Sequence, residues 1–372
     1  MDLLSVLWTT ILPFLVILTI VVFVHEFGHF IVARWNGVKV DVFSIGFGRE
    51  LFGWNDRHGT RWRVSLLPLG GYVKFFGDAN EASAGSSDAA REMSAEDRAV
   101  SFHHKRVGQR IAVVAAGPGF NFLFAIAIFA TVFMTVGQPT TAPILGGVQP
   151  GSAAAEAGLL PGDRIVTIDG HGIERFEDIQ RLVPLNAGTP MQVEVLRDSD
   201  RLDFQVTPRI TEMTDGFGNV HRTPILGVSV SSDSMEMHRL APVAAVGSAV
   251  GHTWGIVSST MTALGQMVTG ARGTDDLGGP VRIAQFSGQA AQSGVVNAIM
   301  FVALLSVALG LFNLFPVPML DGGHLVFYIV EALRGRPLSE RVQEYGFRLG
   351  FALVVCLMVF VTWNDIVRLI EG

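Results

Sequence analysis

Residues 3–33 read LLSVLWTTILPFLVILTIVVFVHEFGHFIVA. Leu3 to Val24 is a run of 22 residues without a charge, long enough to cross a bilayer as a helix. His25-Glu26-Phe27-Gly28-His29 follows at once, and Phe30, Ile31 and Val32 carry the apolar character past it. This is an H-E-x-x-H pattern. On a helix, residues four apart share a face, so His25 and His29 can reach one metal ion. Glu26 stands beside them as a base for a water molecule. A charged carboxylate inside a membrane costs about 2.5–3.5 kcal/mol on insertion scales, which marks Glu26 as functional. For the motif taken alone, a chance match at a capped helix end is the plain alternative.

Composition agrees with a membrane protein. Hydrophobic residues make up 49% and charged residues 16%, and the mean hydropathy is +0.42. A net charge of −6 provides no basic tract for nucleic acid. The single cysteine, Cys356, lies in an apolar run and excludes an internal disulfide framework. The first apolar run has no preceding basic residue, exceeds a signal-peptide core and carries the motif, so it reads as a retained span.

Three more segments read as spans: Ile111 to Gly137, Gly294 to Leu320, and the shorter Leu349 to Trp363. The loop from Arg34 to Arg110 carries 12 Lys and Arg, and Arg334, Arg336 and Arg341 lie between the last two spans. The positive-inside rule places both loops in the cytoplasm and the N-terminus outside. The long segment 138–293, with 10 Arg, is then extracytoplasmic, because long loops cross regardless of charge. Ala241 to Ala271 is also free of fixed charge. Its low hydrophobicity, with Ser258, Ser259, Thr260 and Gln266, reads as an amphipathic helix on the membrane surface, not a fifth span. A fifth crossing would put Asp321 and His25 on opposite faces.

Catalytic zinc sites use three protein ligands. Residues 313–324 read NLFPVPMLDGGH, and their two prolines break the third span. Broken backbone at membrane depth must be buried in protein or line a cavity. Asp321 is the only acid near that break and the candidate third ligand. An N-cap for a helix from His324 to Leu333 fits its spacing as well. His324 reads as supporting or structural.

The combination of HEFGH in the first span with N-x-F-P-x-P-x-L-D-G-G late in the chain resembles the site-2 protease family of intramembrane zinc metalloproteases. More narrowly it resembles the bacterial regulator-of-sigma-E proteases. Phe43 to Gly48 (FSIGFG), Leu67 to Lys74 (LPLGGYVK), and Gly117-Pro118 with Asn121 match further segments of that family. The resemblance implies Zn2+ bound by His25, His29 and Asp321, with Glu26 as general base. It implies that Asn313 holds substrate or the developing oxyanion. It also implies single-span membrane substrates already trimmed on the outer side, such as anti-sigma factors, and remnant signal peptides, in a bacterial inner membrane. A non-catalytic adaptor of the same fold is the alternative. Inactive relatives normally lose the Glu or a ligand, and all four groups stand here.

Thr60 to Leu66 alternates polar and apolar residues, Pro68 to Gly71 reads as a turn, and Tyr72 to Phe76 as a second strand. Such a hairpin beside the site offers Gly70, Gly71 and Tyr72 to an unwinding substrate as a strand edge. Asp78 to Ala99 reads as a flexible acidic linker, and His103-His104 as a solvated pair. From Gln149 to Gly170 a short helix, a Gly stop, a P-G-D turn and a strand ending in Asp-Gly resemble a PDZ domain. A helix over 176–185 and strands over 191–196 and 202–206 follow, and Ile225 to Val228 closes the domain. It is either a peptide binder or a structural shade over the site. The pattern occurs once, whereas enterobacterial members carry two.

The expected fold is thus a polytopic α-helical membrane protein with four transmembrane helices, a cytoplasmic membrane-associated β-hairpin and one extracytoplasmic PDZ domain. The expected divisions are 1–34 (first span with the zinc motif), 35–106 (loop and hairpin) and 107–137 (second span). They continue with 138–232 (PDZ), 233–293 (surface helix), 294–323 (third span with Asp321) and 324–372 (loop and fourth span).

Overall fold

The computed structural model describes residues 3–78, 93–186, 188–214, 220–230, 235–270 and 278–371. The chain forms two compact units, 1–131 with 242–372, and 132–241. Among the described residues, four helices are long and apolar enough to cross a membrane: Leu7–Trp35, Val107–Thr135, Val295–Asn313 and Arg341–Val367. The protein is a multi-pass membrane protein.

In the first unit, α1 (Leu12–Trp35) continues from a π-helical turn, Leu7–Ile11, and Pro13, which has no N–H to give the preceding turn, sits at the junction. A short helix, α2 (Ala95–Val100), is capped by the Ser94 side chain, which accepts from Asp97 N. It leads to the second span, α3 (Val107–Thr135), which has Pro118 in its interior.

The sheet between these helices corrects the hairpin expected from the sequence. The strands are β1 (Val40–Asn55) and β2 (Arg61–Phe75), joined by a turn at 56–59 in which Asp56 accepts from His58 and Thr60. Residues 68–71 do not close a hairpin between the two segments they join; they lie within β2 where it passes from one side of 40–45 to the other. Phe43 pairs with Val73 on one side and with Trp62 on the other, and Trp54 then pairs with Trp62. Each long strand therefore bends back, and the two build four rows in the order 71–75, 40–45, 61–65, 50–55. Bulges allow this bending, and the sequence alternation alone does not reveal it. Phe43 stacks on Trp62 at 4.3 Å and meets Phe30 of α1, which fixes the sheet against the first span.

Two other expectations change nearby. Of the proposed linker 78–99, residues 79–92 lie outside the described residues. Asp78 is buried and pairs with His103 at 2.9 Å, so His103 is not a freely solvated histidine.

After the second unit come α6 (Pro242–Val268) and α7 (Pro280–Gln292), neither of which ranks among the four spanning helices. The third span, α8 (Val295–Asn313), ends where the prolines begin, and α9 (Asp321–Arg334) restarts after them. Gly322 lets the broken segment fold onto the first turn of α9, since a Cβ there would overlap the carbonyl oxygens of Leu314 and Phe315. The last helix, α10 (Glu340–Glu371), is longer than the 349–363 segment read from the sequence, because its flanking charges are satisfied locally. Glu344 pairs with Arg348 one turn on, and buried Asp365 accepts from the N–H groups of Gly279, Val281 and Arg282, capping α7.

The second unit carries β3 (Gln138–Thr141), β4 (Leu145–Val148), α4 (Ala153–Ala157), β5 (Arg164–Ile168), β6 (His171–Gly172) and α5 (Phe176–Leu182). It continues with β7 (Met191–Arg197), β8 (Asp200–Val206), β9 (Arg209–Thr214), β10 (Val220–Ile225), β11 (Val228–Val230) and β12 (Met235–His238). These follow the helix and strand order that suggests a PDZ domain. Four strands form a sheet in the order β6-β5-β7-β8, over a core that includes Ile165, Ile168, Met191, Val193 and Val195. The unit reaches beyond 232 because β12 pairs with β3, so its incoming and outgoing chains zip together.

Asp163 and Arg197 form a two-point ion pair, 2.7 Å on each side, and Leu160 N–H donates to the same carboxylate. Burial alone would push the Asp163 carboxyl up, but these donors hold it below the usual carboxylate range. A depressed folded-state pKa stabilises above the unfolded value and loses that contribution as pH falls. Asp163→Asn is therefore expected to lower the unit's resistance to proteolysis at pH 7. The gap to wild type should close below about pH 4, where free Asp protonates. A gap that persists unchanged into acid contradicts this.

Candidate metal centre

α1 runs without a break through the H-E-x-x-H pattern, so His25 and His29 sit one turn apart on its buried face. Their Nε2 atoms are 3.2 Å apart. Asp321 Oδ2 lies 3.1 Å from His25 Nε2 and 3.5 Å from His29 Nε2. Among the described residues these three side chains form the cluster suited to a metal ion, with ligand atoms within 4.8 Å of one another. Asp321 arrives from the proline-broken segment as the first residue of α9. Leu320 occupies the N-cap position, and no side chain caps there. The capping role that its spacing also allowed is thus not the one Asp321 plays.

The donor chemistry fits zinc. His29 Nδ1 donates to the carbonyl oxygen of Val113 at 2.9 Å, which puts the proton on that nitrogen and leaves Nε2 as a bare lone pair. Asp321 Oδ2 is buried without a well-formed hydrogen bond. Two imidazole nitrogens and a carboxylate oxygen converging in this way form a three-ligand set that leaves room for a fourth group.

Gly117 of α3 supplies the space. A Cβ there would fall within the contact shell of His29 Nε2 and stand 2.9 Å from His25 Cε1. Gly117, Pro118 and Asn121 match a family segment, but the match by itself gives them no role. A glycine and a proline inside an otherwise regular span were the available signal.

Glu26 is partly buried, and the backbone N–H of Val73 in β2 donates to its carboxylate. A cavity of about 500 Å³ opens beside it, lined by Glu26, Tyr72, Asn313, Met319, Asp321 and His324, among others. Gly71 also lines it; Gly70 lies just outside, against the Phe47 ring. Asn313 is the last residue of α8. His324 is not in the ligand cluster, and its ring packs 5.2 Å from Phe347.

Peptidase family M50 matches residues 13–357, nearly the whole chain. The chain belongs to peptidase family M50. A provisionally named zinc metalloprotease of Agrobacterium fabrum is 48% identical over 97% of this chain and 96% of its own length. Metalloprotease MmpA of Caulobacter vibrioides is 37% identical, over 95% and 94%. Regulator of sigma-E protease RseP of Salmonella typhimurium is 32% identical, over 98% and 100%. That last alignment runs over 463 positions against 372 residues here, so RseP is the longer of the two chains. The PDZ domain of the SdrC-like protein of Listeria monocytogenes is 18% identical at a TM-score of 0.21, over 25% of this chain and 90% of its own. The PDZ reading therefore rests on strand and helix order. This M50 member is a zinc metalloprotease, and the non-catalytic adaptor is set aside.

Proposed function

We propose that this protease is an intramembrane endopeptidase that cuts single-span membrane proteins after a first cut on their outer side. His25, His29 and Asp321 hold the zinc, and Glu26 is the general base. The observation that carries this is the meeting of Asp321 with the H-E-x-x-H pair inside helices apolar enough to span a membrane. Zinc, when bound there, acidifies water and polarises a carbonyl as a Lewis acid. Glu26 takes the proton of the attacking water and passes it to the leaving amine nitrogen. Val73 N–H keeps the Glu26 carboxylate oriented toward the cavity. Asn313 offers its amide to the substrate carbonyl as charge develops. The 71–75 row of β2 has β1 on one side and the cavity near it, so an unwound substrate adds there as a strand, against Gly70, Gly71 and Tyr72.

The charge distribution supports an inner-membrane orientation with the active site toward the cytoplasm and the PDZ domain outside. Span parity supports it too. A crossing by α6 would separate Asp321 from His25, and these two are in contact. The substrate class matches anti-sigma factors and leftover signal peptides, both single helices with a short outer stub.

The PDZ domain acts as a size gate. It is joined directly to the second span through β3, and a folded outer domain on a substrate competes with it for space. The zipped β3–β12 pair shows where to cut. Replacing residues 143–233 by a short Gly-Ser link removes the domain and leaves that pair closed. One single-span reporter is made with either a folded outer domain or a short stub. The intact protease is expected to cut only the stub form, and the deletion variant both. If the variant cuts the stub but still spares the bulky form, the gate is refuted. If a folded variant no longer cuts the stub, the domain recruits substrate instead. If the intact protease cuts neither, the proposed substrate class is wrong.

A further inference from the structure

The two histidines of the centre are met at Nδ1 by different groups on the same helix. His29 Nδ1 meets the Val113 carbonyl of α3 at 2.9 Å. His25 Nδ1 meets the carboxamide of Asn121, two turns further along α3, at 3.1 Å. Asn121 is fully buried inside a spanning helix. A buried amide at that depth costs free energy unless it is used. It is also held firmly. Its backbone carbonyl accepts from Ser306 Oγ of α8 at 2.9 Å, and a methyl placed on Gly310 would stand 3.3 Å from its Cβ.

The carboxamide turns its nitrogen toward His25, and its Oδ1 is buried without a partner. The two ends of the group are nearly equal in shape, so a half-turn about χ2 exchanges them. The chemistry of His25 decides which end is needed. With Nε2 directed at a metal, the ring proton sits on Nδ1, and Nδ1 then needs an acceptor. Only the oxygen end of Asn121 supplies one.

We propose that Asn121 is the positioning residue of His25. In the metal-loaded protease its carboxamide oxygen accepts the Nδ1 proton, which fixes the ring and holds the Nε2 lone pair on the zinc. This inference rests on the reading of His25 as a zinc ligand. α3 then orients both histidines, one through a backbone carbonyl and one through a side chain. Such outer partners typically alter metal affinity by about 10–100-fold.

The test uses the full-length protease in detergent, stripped of metal and titrated with zinc against a chromophoric chelator. Asn121→Leu keeps the bulk and removes the acceptor. Asn121→Asp keeps the acceptor. The expected result is zinc binding about 10–100-fold weaker in Asn121→Leu, with an altered visible spectrum after cobalt substitution. Asn121→Asp should stay within a few-fold of wild type with the wild-type spectrum. If Asn121→Leu binds zinc as wild type does while His25→Ala loses it, the positioning role is overturned and the ligand reading stands. If His25→Ala itself binds normally, the ligand reading falls and this inference with it. If Leu and Asp variants weaken binding equally, and the metal-free Leu variant also melts lower, Asn121 is a packing residue only.

Discussion

Glu26→Gln leaves the zinc in place and removes cleavage. Glu26 is not in the ligand cluster; it sits one position round the helix, beside the cavity and under the Val73 N–H. Glutamine has nearly the same shape and can still receive that N–H through its oxygen, but it cannot take a proton from water. Losing a general base at a fixed site lowers turnover by about 10²–10⁴-fold. The measurement pairs metal content by elemental analysis with cleavage of a single-span reporter by the purified variant. Full zinc with no product is the expected pair of values. Full zinc with substantial turnover would show that some other group moves the proton. Loss of zinc would move Glu26 into the ligand set.

Asp321→Ala empties the site. Its carboxylate is the only oxygen ligand in the cluster, whereas α9 itself is anchored independently through Glu331 to Arg110 and through Tyr328, so the variant should still fold. Two imidazoles one helical turn apart make a weak zinc site by themselves, so loss of Asp321 should lower zinc content to a small fraction and abolish activity. The rival role makes a different forecast. A helix cap costs only about 0.5–2 kcal/mol of stability when removed, with the metal retained. Zinc analysis of the folded variant separates the two. A full metal complement in Asp321→Ala would return this residue to a structural role.

Some of this architecture was legible along the chain. Spans announce themselves because every backbone polar group in lipid must be satisfied within a helix, which forces long uncharged runs. The helix of the fourth span extends beyond the 349–363 apolar run, past Arg348 and Asp365, which interrupt that run. Those charges are tolerated because Glu344, one turn before Arg348, and the open end of α7 satisfy them, and the second of these partners is distant in sequence. The β-hairpin was misplaced for a related reason. Alternation marks strand faces, but the bend that lets 40–45 pair on both sides is a matter of bulges and partner rows.

The sequence by itself determined the chemistry at hand: two histidines and a glutamate on one helix face, an aspartate behind a proline break, and enough apolar length to place both in a membrane. These are local patterns, and local patterns survive in a linear reading. Tertiary structure alone decided that Asp321 points at the histidines and does not cap α9, that Gly117 clears room for both rings, and that Val113 and Asn121 hold them. Those relations join opposite ends of the chain through close helix packing. Packing of that kind depends on the shapes of surfaces that meet only after folding.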